Sequence, residues 1–235
     1  MSNLLLLAAM GAALICAAAC NPSRHSDKET EQDMKTLNVP AVGSFADLEK
    51  FAKTAVACVD WQDDYPYAPE VNLAVGHTAD RLLVRFDVKE DNPKAVTTEN
   101  NGPVWEDSCC EFFVSVPGKT GYFNFETNCI GAGLAAWRMS REDCVHFDEE
   151  KMGKVVRRSS LGSEPVDIKE TTSWSLELEV PFEVLGLDSC PDTLNANFYK
   201  CGDNTDKPHF LSWNKIDSPN PNFHLPEFFG TLVLE

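Results

Sequence analysis

The sequence predicts an all-β protein, an antiparallel β-sandwich with one short N-terminal helix. Three observations carry that prediction. Residues 173–181 alternate cleanly, with Trp174, Leu176, Leu178 and Val180 on one face and Ser175, Glu177 and Glu179 on the other. In residues 82–88, Leu82, Val84, Phe86 and Val88 share one face against Arg85 and Asp87. Turn chemistry recurs at short intervals, at Thr78-Ala79-Asp80, Pro117-Gly118, Gly202-Asp203-Asn204 and a proline-rich stretch at 217–226. That spacing suits about ten short strands and little helix.

Taken in order, the chain opens with an apolar run at residues 4–19, shorter than the ~20 residues of a comfortable membrane span. Ala17, Ala18 and Ala19 lead into Cys20, and a polar stretch follows. This pattern resembles a lipoprotein signal peptide, cleaved before Cys20 with lipid on its sulfur. It departs from the usual form in lacking Lys or Arg at positions 1–3 and in carrying Ala17 three residues before the cleavage point. The expected organisation is a signal peptide at 1–19, a flexible tether at 20–38 and one sandwich domain at 39–235. The protein is expected to be exported and lipid-anchored at the outer membrane, or periplasmic or secreted if ordinary cleavage replaces lipidation. Residues 44–54 carry an N-cap serine and helically spaced apolar residues, the one short helix. Strands are expected at 70–76, 82–88, 109–116, 122–129, 133–137, 154–160, 173–181, 194–201, 209–213 and 228–234.

The formal charge of −17 over 235 residues repels phosphate backbones and argues against a nucleic-acid partner. It also disfavours polyuronates without a bridging metal, so a neutral ligand is the simplest reading. Of nine cysteines, Cys16 leaves with the signal and Cys20 is the lipidation candidate. The remainder, Cys58, Cys109, Cys110, Cys129, Cys144, Cys190 and Cys201, are odd in number, so at least one stays unpaired within the chain. A Cys190–Cys201 bridge is one option; buried free thiols are the expected state for most. No CxxC pair signals a zinc site. Cys109 and Cys110 are adjacent in a strand-like run and should face opposite sides.

Three strands carry unusual polar faces. Glu111 opposes Cys110, Phe112 and Val114. Tyr122, Asn124, Glu126 and Asn128 alternate with Phe123 and Phe125, and Asn195, Asn197 and Tyr199 alternate with Ala196 and Phe198. Asparagine is a poor strand former. Amides and carboxylates on neighbouring strands are therefore read either as a trough that pairs with sugar hydroxyls or as a solvated face with internal hydrogen bonds. Trp105 and Trp213 lie in polar, proline-containing contexts (GPVWEDS and LSWNKIDSPNP), where an indole can be exposed to stack on a sugar ring. Asp60, Asp63 and Asp64, or Glu106 with Asp107, offer hard oxygen ligands for calcium, although no EF-hand loop is present.

The segments NGPVWEDSCCEFFVSV (100–116), YFNFETNCIG (122–131), WSLELEVPFEVLG (174–186), NFYKCGDNTDKPHFLSWNKI (197–216) and NFHLPEFFGTLVLE (222–235) resemble carbohydrate-binding module family 9. The likeness is to its family 9-like branch of small exported proteins from Bacteroidetes-type bacteria, and it spans residues 59–235. It implies a DOMON-like, jelly-roll type β-sandwich that binds a neutral poly- or oligosaccharide, with glycoside hydrolases as working partners in carbohydrate catabolism. Membrane contact comes through the lipid anchor alone. Carried onto this chain, the aromatic candidates are Trp105 and Trp213. The polar candidates are Glu106, Asp107, Glu111, Glu126, Asn128, Asn197 and Lys200. No cofactor is required on this reading, with structural calcium as an addition, and xylan is among the expected polymers.

Two other classes compete. A glycoside hydrolase needs a pair of carboxylates, which Glu106, Asp107, Glu111 and Glu126 could supply, but no spacing marks an acid and a base. A haem or redox domain needs an axial pair such as one of Met139 and Met152 with His146 or His209, and no CxxCH or placed pair is present. The expected protein is a binding module and not an enzyme.

Overall fold

The computed structural model describes residues 34–235. The signal peptide, Cys20 and the tether up to residue 33 lie outside the described residues. Strands are β1 (Thr36–Val39), β2 (Thr54–Ala55), β3 (Glu70–His77), β4 (Arg81–Asp91), β5 (Lys94–Ala95), β6 (Cys109–Ser115), β7 (Tyr122–Asn128) and β8 (Gly133–Arg138). There follow β9 (Cys144–His146), β10 (Val156–Ser159), β11 (Val166–Asp167), β12 (Thr171–Pro181), β13 (Thr193–Cys201), β14 (Phe210–Ser212) and β15 (Gly230–Leu234). The larger sheet runs β1-β15-β13-β6-β7-β8-β9, with β14 also on β13, and the smaller runs β10-β12-β4-β3-β2. A ribbon of β11 and β5 completes them. Among the described residues the strands pair antiparallel except β1 on β15, and an isolated bridge joins Ala41 to His77 in parallel. The all-β sandwich expected from periodicity is what forms.

The core lies between the sheets. Leu82, Val84, Phe86 and Val88 of β4 and Trp174, Leu176, Leu178 and Val180 of β12 all face inward and are buried. They meet Cys110, Phe112 and Val114 of β6, Phe125 of β7, and Ala196 and Phe198 of β13. Phe112 stacks between Phe125 and Phe198 at 5.9 and 5.0 Å. Burial of this face is the main force holding the two layers together. On the opposite face of the smaller sheet Leu48, Val42 and Phe45 cover Ala74 and Leu83, and Arg85 and Arg81 bridge to Glu177 and Glu179 on the part that meets solvent.

Three details depart from expectation. Residues 36–38, read as tether, form most of β1, because a parallel edge partner leaves no periodic mark in a four-residue strand. The N-terminal helix shrinks to α1 (Phe45–Leu48). A second helix, α2 (Glu149–Lys154), precedes β10; Asp148 caps it by accepting from the Lys151 backbone N–H at 2.9 Å. The seven cysteines after residue 33 are all free thiols, Cys190 and Cys201 included.

Candidate functional site

The larger sheet is buried on both faces, and this positions the site. Its outer face carries a second apolar cluster in which Phe113, Tyr122 and Tyr199 meet Trp61, Ile216, Phe223 and Phe229 from covering loops. Phe223 stacks on Tyr199 at 4.2 Å and 8°, and Trp61 donates its indole N–H to the Ser218 carbonyl at 2.8 Å. Asn197 anchors both ends of the covering loop. Its amide donates to the carbonyls of Asn214 and Phe228 and its oxygen accepts from the N–H groups of Phe198 and Asn214.

Where the loop stops, a cavity of about 320 Å³ opens over the sheet, at the lower end of the ~300–1,000 Å³ usual for small-molecule sites. Register builds its floor. Tyr199, Glu111, Glu126 and Leu134 lie abreast on β13, β6, β7 and β8, so two carboxyl side chains sit side by side with almost no exposure. Arg138 on β8 donates from Nε to Asn124 Oδ1 at 2.8 Å, and Asn124 donates to Glu126 Oε1 at 2.7 Å. Glu111 accepts from the Cys201 thiol at 3.0 Å. The walls are Asp203 on one side and Phe223 and His224 on the other, with Trp105 at the mouth on a 3₁₀ turn, Val104–Glu106. Trp105 is 37% exposed.

Electrostatics follow from burial. Desolvation, then the neighbouring Glu126 charge, raises the Glu111 carboxyl well above its usual range. Desolvation raises Glu126 to about 7 against the opposing pull of Asn124 and Arg138. Near neutral pH the pair therefore keeps at least one proton and offers a donor as well as acceptors. Burial, with Arg138 and Arg141 nearby, lowers His224 to about 3, so its ring is neutral; Nδ1 lies 3.0 Å from the Tyr122 hydroxyl. Asp203 rises to about 6 through desolvation and then the charge of Glu106. The cleft thus sets the neutral His224 ring and a carboxyl pair that keeps a proton, together with Arg138, Arg141 and Asp203, beside an exposed aromatic face.

The structure sorts the sequence candidates sharply. Trp105, Glu111 and Glu126 line the cavity. Glu106 is beside it, accepting from Asn204 at 3.0 Å. Trp213 does not form a clamp: it is 1% exposed, packs edge-on against Phe198 at 5.7 Å, and donates to Thr54 Oγ1 at 3.2 Å. Its backbone N–H bonds to the Phe198 carbonyl, which turns it inward on the same side as Leu211. Lys200 is equally removed. It points between the sheets, fully buried, against Glu90 at 3.2 Å and His209 at 2.7 Å. Asp107 accepts from the N–H groups of Val96 and Thr97 and from Asn128, which itself accepts from Ile130 and Ala132. Asn128 and Asn197 thus have both amide donors and both acceptor positions taken by the protein, and Asp107 is buried against three protein donors. Asp60 accepts from Ser212 at 2.5 Å while Asp63 and Asp64 are exposed; the ligand atoms of the three do not converge as a set. Among the described residues, the His, Cys, Asp and Glu group whose ligand atoms converge is Cys109, Glu111 and Cys201, within 4.8 Å of one another.

Arg138, Asp203, Phe223 and His224 were not anticipated. Arg138 shares strand parity with Leu134 and Ala136, a signal in the sequence; His224 lies in an aperiodic loop and leaves none.

The sequence profile of carbohydrate-binding family 9 matches residues 41–234. The chain belongs to this family. A crystal structure of a proposed carbohydrate-binding protein from Bacteroides uniformis resembles this family 9 chain at 38% identity and a TM-score of 0.82, over 86% of this chain and 100% of its own. A family 9 module from Caldicellulosiruptor kristjanssonii, solved with glucose and with cellotriose, matches at 10% identity. Those TM-scores are 0.58 and 0.57, over 86% of this chain and 96% and 94% of theirs; at that identity the likeness is one of fold. No curated protein matches the sequence.

Proposed function

We propose that this family 9 chain is a non-catalytic sugar-binding protein and that the cleft beneath Trp105 is where it holds its ligand. One observation carries the proposal: an exposed indole stands at the mouth of a cavity whose buried floor offers both hydrogen-bond donors and acceptors. The C–H face of a pyranose stacks on Trp105 while vicinal hydroxyls meet Glu111, Glu126 and the neutral His224 ring. The family's character as a set of binding modules, and the glucose and cellotriose held by the C. kristjanssonii module, support a carbohydrate as the ligand. The net charge of −17 favours a neutral, plant-type polysaccharide or its oligosaccharides over a polyuronate. The protein would retain such glycans at the cell envelope for partner hydrolases. The apolar run at 4–19 ending at Cys20 supports a lipid anchor there.

A glycan array followed by calorimetry tests this. Saturable binding of a neutral oligosaccharide, weakened in Trp105→Ala, is expected; no binding at millimolar sugar rejects it. Turnover of aryl glycosides abolished by Glu126→Gln would instead assign the carboxyl pair to glycoside hydrolysis.

A further inference from the structure

We infer that Cys109, Glu111 and Cys201 form a binding site for a thiophilic divalent cation of the zinc type. Cys109 on β6 and Cys201 on β13 stand directly opposite each other in register, and Glu111 is the next residue of β6 on the same face. Their ligand atoms lie within 4.8 Å of one another, and the Cys201 sulfur is 3.0 Å from Glu111 Oε1. Ligands held at ~2.0–2.3 Å from one ion stand ~3.5–3.8 Å apart in a tetrahedron, so small side-chain rotations close the set. Two sulfurs and a carboxyl select a borderline-soft ion over calcium or magnesium.

Access and charge agree with the donor set. Glu111 and Cys201 line the cavity while Cys109 lies beneath, fully buried. An ion entering from the cleft would have three protein ligands and a fourth position open toward solvent. Glu111 and Glu126 are neighbouring buried acids, and the hydrogen-bond chain from Arg138 passes through Asn124 to Glu126, leaving Glu111 toward the two thiols. A divalent cation bound here takes the place of the two thiol protons, its charge balanced by the two thiolates that form. The ligands sit on central strands of the sheet, which holds them more rigidly than loops would. The inference does not depend on sugar binding and is tested without sugar.

The test is a cadmium titration of the purified, reduced, chelator-stripped protein, followed by the sulfur-to-cadmium charge-transfer band. One equivalent should saturate the band, and zinc should displace it. Cys109→Ser and Cys201→Ser should abolish the band, while Cys144→Ser, at the cleft wall, should keep it. Glu111→Gln keeps both thiols and should weaken cadmium binding at least about tenfold. The inference is overturned by absence of a band in the parent protein or by a band that survives both serine variants. Unchanged affinity in Glu111→Gln also overturns it, and remains decisive if a serine variant fails to fold. So does a mass two hydrogens low from a Cys109–Cys201 disulfide in the protein as isolated.

Discussion

Replacing Glu126 by Gln should stabilise the protein at alkaline pH and leave it nearly unchanged at acid pH. Glu126 is 4% exposed and its carboxyl is raised from 4.5 to about 7. Between those values the folded chain binds more protons than the unfolded chain, so this residue's contribution to stability falls as pH rises. At pH 5 the buried group is protonated and resembles a glutamine; at pH 8 it is ionised, and the loss between the two is about 2–3 kcal/mol. Gln keeps the bond from Asn124 Nδ2, so packing is conserved. The total pH profile is a poor readout, because His224 and His209, both held neutral by burial, cost stability on acidification. The difference between variant and parent cancels the histidines and reports Glu126 together with its charge coupling to Glu111, which acts in the same direction. Chemical denaturation at pH 5 and pH 8, with chelator present, should show the variant gaining about 2–3 kcal/mol on the parent between the two conditions, ~4–12 °C in Tm for a chain of this size. A pH-independent difference, or a variant less stable at pH 8, would refute the argument.

The tryptophans should separate. Trp213→Ala should cost about 3–5 kcal/mol of stability, since a fully buried ring is lost, whereas Trp105→Ala should cost under about 1 kcal/mol; denaturation midpoints check both. Asn197→Ala should destabilise by at least about 2 kcal/mol, because the Asn214 carbonyl and the N–H groups of Phe198 and Asn214 lose their partner, while the Phe228 carbonyl keeps Asn214 Nδ2. Lys200→Met should cost about 3–5 kcal/mol by leaving Glu90 buried without its cation, and adding Glu90→Gln should recover part of that loss in a double-mutant cycle.

Much of this architecture is legible in residue order. Strands β4 and β12 announce themselves by alternation because one face is core and the other water. Strands β6, β7 and β13 were legible as strands, yet their polar outer faces misled in part. Asn128 and Asn197 look like ligand groups but are consumed by backbone in covering loops, which periodicity cannot register. Trp213 was misread from its polar neighbours, although its parity with Leu211 pointed inward. Lys200 likewise shares parity with Phe198 and Ala196; its charge concealed a core position made tenable by Glu90 and His209. The Cys109–Cys201 approach has no local signature, because strand pairing alone joins residues so distant in sequence.

The central claim is that Trp105 and the carboxyl floor together hold a neutral sugar. The most direct measurement is calorimetric titration of the purified protein with cellotriose, alongside Trp105→Ala confirmed to be folded by its denaturation midpoint. The account predicts saturable binding to the parent and at least about a tenfold loss in the variant, equal to about 1.4 kcal/mol. Parent and variant binding cellotriose with equal affinity would contradict it.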